Sequence, residues 1–184
     1  MISRATSNWI LHDYLQVNGG SERVVITLAR ELTGFKLAIA GVYRMFAETG
    51  NLEGVDMVNI GELTCWLPRI PRALLAFGAP HAFVRTSQRV IYSGLYAPLS
   101  VKYQLAGKKI YYCHTPPRFA FDREEEYVGS YPNLVKPFLR RAIALYRLAY
   151  VQSISTMDVV ISNSEHIRQR LFHQTGLDSV VVHP

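Results

Sequence analysis

Short apolar runs alternate along this chain with stretches whose apolar residues recur every three or four positions. That alternation predicts repeated strand–helix units around a parallel sheet. The first run, Trp9 to Leu15, reads as a strand. A polar turn, Gln16 to Ser21, leads into a helix from Glu22, in which Val24, Val25, Leu28, Ala29 and Leu32 share one face. Gly34 stands where a glycine commonly ends a helix. Lys36 to Val42 and Val55 to Ile60 predict the second and third strands. Arg89 to Ser93, Lys109 to His114, Asp158 to Ser162 and Val180 to His183 predict four more. Pro68 and Pro80 flank one helical segment at 71–78, which begins with Pro71. A long helix is expected after Pro132, with Leu139, Ile143, Tyr146 and Tyr150 near helical spacing. Pro137 falls in its first turn, where a missing N–H is tolerated. Ser164 is the expected N-cap of a helix over Glu165 to Gln174, and Gly176 its stop.

These elements predict one α/β domain over residues 1–184: a Rossmann-like, doubly wound parallel sheet of about seven strands with helices on both faces. Ligands of such folds sit at the carboxyl ends of the strands, where the strand order reverses. The loops after the first, fourth, fifth and sixth strands are therefore the places to look for chemistry.

Gly19 and Gly20 follow the first strand and precede a helix. Glycines there let a ligand approach backbone N–H groups at a helix N-terminus, which favours anions. The spacing is neither the dinucleotide fingerprint nor a P-loop. A Gly-Gly pair taken alone is more economically a plain turn. Glu22 is placed for the first helical turn, where its charge is favourable.

The richest run is Tyr111-Tyr112-Cys113-His114-Thr115-Pro116-Pro117-Arg118. A strand ends in a histidine, two prolines stiffen the exit, and an arginine offers a planar fork for phosphate or carboxylate. A lone histidine is more often satisfied by a carbonyl, but a carboxyl strand end favours a functional one. The histidines at 12, 81, 166, 173 and 183 lack a comparable setting, and no pair has zinc-site spacing. Ser93 and Gly94 follow the fourth strand, and Asn163 follows the sixth. Ser164 is better explained as a cap.

Composition narrows the class. Apolar residues make up 49% of 184, enough for a packed core. Cys65 and Cys113 form neither a disulfide framework nor a metal motif, so a reducing, cytoplasmic setting is expected. No apolar window spans a bilayer, and the N-terminus has no signal-peptide pattern. The net charge of +6 is unevenly placed: no acid occurs between Leu63 and Phe121, or from Ser130 to Met157. Such one-sign stretches attract phosphate, nucleic acid or anionic lipid, although a basic face paired with acids from elsewhere is the simpler reading. No helix-turn-helix, zinc or aromatic RNA-binding signature accompanies the charge, so no nucleic-acid partner is expected.

The succession DYLQVNGGSERVV, YSGLYAPL, IYYCHTPPRFAFD, DVVISNSEHIRQRL and VVVHP resembles the N-terminal domain of family 4 glycosyltransferases with the GT-B fold. The nearest likeness is to bacterial and archaeal mannosyltransferases of surface polysaccharides. The resemblance implies a retaining transfer of a hexose, with mannose from a guanosine diphosphate donor as the specific guess. It implies no metal and no cofactor beyond the nucleotide-sugar co-substrate, and a glycan or lipid-linked acceptor at the inner membrane face. It implies that His114 reaches the reacting sugar, that Gly19 and Gly20 face donor phosphates or acceptor, and that Arg118 lies near the acceptor. Ser93, Gly94 and Asn163 would line the same cleft. The family's paired-glutamate motif belongs to a C-terminal donor-binding domain absent from these residues. Glu124, Glu125 and Glu126 do not replace it. The expectation is therefore an acceptor-side half, inactive alone, ending near the family's domain junction at Pro184. Basic residues mixed with Trp66, Leu67, Leu74, Leu75 and Phe77 suit an anionic membrane surface. The alternative is a non-catalytic doubly wound module that binds a phosphorylated small molecule.

Overall fold

The computed structural model describes residues 8–50 and 52–184, the side chain of Thr49 excepted. Seven strands form one all-parallel sheet: β1 (Asn8–His12), β2 (Phe35–Ile39), β3 (Met57–Asn59), β4 (Arg89–Ser93), β5 (Lys108–Cys113), β6 (Val159–Ser162) and β7 (Val180–Val181). Their spatial order is β3-β2-β1-β4-β5-β6-β7. The fold is the doubly wound Rossmann-like α/β class expected from the strand–helix alternation. Strand order reverses between β1 and β4, which pair in register from Asn8 opposite Arg89 to His12 opposite Ser93.

Helices cover the sheet because every parallel strand must bury both faces. On one face lie α1 (Gly20–Glu31) and α2 (Arg44–Thr49). Val25, Ile26 and Ala29 of α1 and Phe46 of α2 pack there on Ile10, Leu37, Ile39 and Ile91. The other face carries α3 (Arg69–Gly78), α4 (Ala82–Thr86), a 3-10 segment at Ala97–Tyr103, α6 (Lys136–Ser155) and α7 (Glu165–Thr175). Their Ala73, Phe77, Val84, Ala97, Tyr150, Ile154 and Leu171 meet Leu11, Val90, Tyr92 and Tyr111 of the sheet. A short α5 (Glu124–Gly129) lies against α6 in a satellite cluster of Ala120, Val128 and Ile143.

Tyrosines dominate the second layer, and several of their hydroxyls are paired. Tyr111 and Tyr150 share a hydrogen bond of 2.8 Å, Tyr92 donates to Gln104 at 2.9 Å, and Tyr146 donates to the Leu95 carbonyl at 2.7 Å. Pairing is required because an unsatisfied buried hydroxyl would cost about 1–3 kcal/mol. Burial among these rings pushes the Cys113 thiol up to about 12, so it is packing material and not a nucleophile.

Several boundaries differ from the sequence expectation. β1 ends at His12 rather than Leu15, and Leu15 keeps only an isolated bridge to Val42. β5 stops at Cys113, which releases His114 from the ladder, and β7 stops at Val181 rather than His183. The short α2, α4 and α5 lack enough periodic positions to show in the sequence. α1 already ends at Glu31 with Leu32 as its C-cap, so Gly34 does not terminate it, whereas the capping expectations for α6 and α7 hold. Pro137 occupies the first turn of α6, Ser164 Oγ accepts from Ile167 N at 3.3 Å, and Gly176 adopts φ +75° after α7. Ser164→Ala is expected to lower unfolding stability by about 1 kcal/mol, read from the urea midpoint with unchanged m-value.

Candidate functional site

The sheet edge at the order reversal gathers three side chains from three strand ends. His12 closes β1, Ser93 closes β4, and His114 directly follows β5. Ser93 Oγ lies 3.0 Å from His12 Nδ1 and 2.9 Å from His114 Nε2. The two imidazoles stand edge to face with centroids 6.1 Å apart. His12 and Ser93 are buried, whereas His114 is half-buried and lines two cavities.

Burial keeps both rings neutral near physiological pH. Loss of hydration lowers His12 to about 4, against the pull of backbone carbonyls of Ser93 and Tyr14. Loss of hydration likewise lowers His114 to about 4; the neighbouring His12 adds to this, and the charge of Glu22 opposes it. Neutral imidazole both donates and accepts, which suits recognition of hydroxyl groups.

Asp13, next to His12, holds the β4 exit loop. Its carboxylate accepts from the backbone N–H groups of Leu95 at 2.5 Å, Tyr96 at 2.9 Å and Ala97 at 2.9 Å. Burial outweighs these donors and pushes Asp13 up to about 6. Gly94 makes the arrangement possible. Its φ is +108°, and a Cβ there would stand 2.6 Å from the Asp13 carboxylate. Gly94 therefore serves the loop's closure against Asp13.

The two glycines after β1 sit where the turn into α1 begins. Gly19 is the N-cap residue and Gly20 the first helical one. The carboxylate of Glu22 folds over this turn: a Cβ on Gly19 would stand 2.9 Å from Glu22 Oε2, and Ser21 Oγ donates to the same oxygen at 2.7 Å. The helix N-terminus thus already faces an anion of its own, which the dipole favours. Gly20 and Ser21 line a cavity of about 720 Å³ with His114, Asn163, Tyr112 and Val182. A second cavity, of about 210 Å³, is lined by His12, Asp13, Tyr14, Glu22, Gly94 and His114 among others. His114 forms part of the wall of both.

Asn163 orients the loop that carries His114. Its Nδ2 donates to the His114 carbonyl at 3.1 Å, and its Oδ1 accepts from Ser164 Oγ at 3.1 Å. Arg118 takes no part in either cavity. It lies on a 3-10 turn, and its Nε and Nη2 donate to Asp122 at 2.9 and 2.8 Å. Four residues apart, the two form an ion pair, and Asp122 also accepts from Gln174 Nε2 at 3.2 Å, so the fork is directed at the protein and not at the cleft.

His114, Ser93, Gly94, Asn163, Gly19 and Gly20 thus share one sheet edge, and Arg118 stands apart. Sequence reasoning missed His12 and Asp13. The signal was obscured because the apolar run continues through Tyr14 and Leu15, which hid the strand end at His12. Among the described residues, no group of three His, Cys, Asp or Glu side chains is placed to hold a metal ion.

The acid response follows from these groups. In the unfolded chain the two histidines bind protons near pH 6.5, but in the folded state only near 4, so they oppose folding as pH falls through that window. Asp13 acts with the opposite sign, since its folded form binds a proton near 6 and its unfolded form near 3.8. Two histidines against one aspartate leave a net of about one proton, so stability should fall towards pH 4 by up to about 1.4 kcal/mol per pH unit. Thermal unfolding from pH 7 to 4 measures this; a flat profile would contradict neutral, buried imidazoles.

The chain matches no protein-family model and no curated protein.

Proposed function

We propose that this chain is the acceptor-side domain of a retaining glycosyltransferase. In this reading it moves a hexose from a nucleotide-sugar donor to a glycan or lipid-linked acceptor. The observation that carries the reading is the convergence of His12, Ser93 and His114 with the α1 N-terminus at the order reversal of the sheet. Neutral imidazoles and a serine suit the hydroxyls of a sugar better than they suit a phosphate, which would call for cations. Within the smaller cavity the fixed charges are the carboxyls of Asp13 and Glu22, and among its lining residues there is no lysine or arginine. A diphosphate needs positive groups, so the leaving nucleotide is assigned to a separate donor-binding domain that closes over this edge.

This reading assigns the roles. His114 hydrogen-bonds the reacting sugar from the shared wall of the two cavities. Gly94 and Asp13 hold the β4 exit loop, and Asn163 holds the His114 backbone. Carboxylates near the sugar ring favour positive charge developing in an oxocarbenium-like transition state. Calorimetric titration of the 184-residue chain with guanosine diphosphate mannose should show little binding. Micromolar nucleotide affinity would instead support a module for phosphorylated small molecules. In protein that carries a donor-binding domain, His114→Ala should lower kcat by about 10²-fold or more with donor KM nearly unchanged.

An anionic membrane surface is the proposed location of the acceptor. Leu63, Trp66, Leu74 and Leu75 are exposed in the acid-free stretch, Trp66 to 78%, whereas Phe77 is fully buried and belongs to the core. Arg72 also turns inward, with its Nε donating to the Gly61 carbonyl at 3.0 Å. Among the described residues, no helix is long and apolar enough to cross a membrane. Sedimentation with vesicles should show binding to phosphatidylglycerol-containing vesicles that weakens with salt. Equal binding to neutral vesicles would remove the electrostatic part of this proposal.

A further inference from the structure

We propose that His12 and Ser93 are positioning residues that set the tautomer of His114, and so decide whether its free nitrogen offers a ligand a donor or an acceptor. The argument starts from hydrogen count. Ser93 Oγ sits between His12 Nδ1 at 3.0 Å and His114 Nε2 at 2.9 Å. A hydroxyl carries one hydrogen, so it can donate to only one of the two rings. The other ring must donate to the hydroxyl for both bonds to form. The Ser93-facing nitrogens of His12 and His114 therefore hold opposite roles.

Neutrality makes the coupling strict. A charged imidazole would carry hydrogens on both nitrogens and so have no tautomer to set, but burial holds both rings neutral. Each ring then has one hydrogen, and placing it on one nitrogen empties the other. When His12 donates to Ser93, Ser93 donates to His114 Nε2, and His114 Nδ1 carries the hydrogen. When the direction reverses, His114 Nδ1 is a bare acceptor. Among the described residues no protein group hydrogen-bonds His114 Nδ1, and the atom is not sealed from solvent. It is the nitrogen left for a ligand in the two cavities that His114 lines.

The chain of three is fixed from outside. His12 and Ser93 pair directly across β1 and β4, and Ser93 pairs with Tyr112 across β4 and β5. The charged and titratable groups facing the relay are Asp13, held by the β4 exit loop, and Glu22, folded over the α1 turn. Tyr112 packs its ring on His114 with centroids 4.9 Å apart. None of these donates to or accepts from His114 Nε2, so Ser93 alone addresses that nitrogen.

The coupling holds for any hydroxyl-bearing ligand, so its test stands apart from the transferase reading. Protein labelled with ¹⁵N-histidine, free of ligand at pH 7, gives the protonation of each ring nitrogen by long-range ¹H–¹⁵N correlation. The expected result is one tautomer per ring, with one of the two Ser93-facing nitrogens protonated and the other bare. Two nitrogens of the same kind, or averaged shifts at either ring, would overturn the proposal. His12→Phe keeps an aromatic ring but removes the far end of the relay. His114 should then lose its single tautomer and show averaged shifts. An unchanged His114 spectrum in a folded His12→Phe protein would assign its tautomer to other groups and also overturn it. If that variant does not fold, the wild-type spectrum decides by itself.

Discussion

The site depends on one buried carboxylate. Asp13 leaves the end of β1 and accepts three successive backbone N–H groups from the loop that leaves β4. That clamp joins the two strands between which the sheet reverses its order. Gly94 is the complement of the clamp, since any side chain there would occupy the space of the carboxylate. With the loop held, Ser93 stays directly beside His12, and the 3-10 segment that follows lies under α6, where Tyr146 caps the Leu95 carbonyl. The clamp is costly, because burial raises Asp13 towards neutrality, and it persists because the surrounding backbone satisfies both oxygens.

A second feature is the charge balance of the chemistry-bearing edge. Two histidines, a serine and two carboxyl groups meet there without a lysine or arginine among the lining residues of the smaller cavity. The arginines that the sequence makes prominent are engaged elsewhere. Arg118 pairs with Asp122, Arg147 with Glu124 and Arg140 with Glu125. The acid run on α5 thus answers part of the basic run on α6, as the simpler reading of that charge pattern anticipated. In the acid-free stretch before Phe121, among the described residues, Arg118 is the only basic side chain in an ion pair, and this stretch carries the exposed Trp66 and Leu63.

Fold class, strand number, the first turn of α6 and both ends of α7 were legible in the chain because they rest on local rules. Apolar runs and helical periodicity mark buried faces, while Pro137, Ser164 and Gly176 mark helix ends through their own backbone chemistry. His114 was legible for the same reason: a β-rich run ends beside it and two prolines follow. By itself the sequence determined these elements and their order, but not the residues at which β1, β5 and β7 end. The tertiary structure decided which loop residues meet. His12 and Ser93 are 81 positions apart, and Asp13 lies more than 80 positions from the amides it receives. Only the parallel pairing of β1 with β4 brings them together, and no local pattern encodes a register between distant strands. Arg118 stands apart from the cleft for a local reason instead: Asp122, four residues on, accepts from its Nε and Nη2.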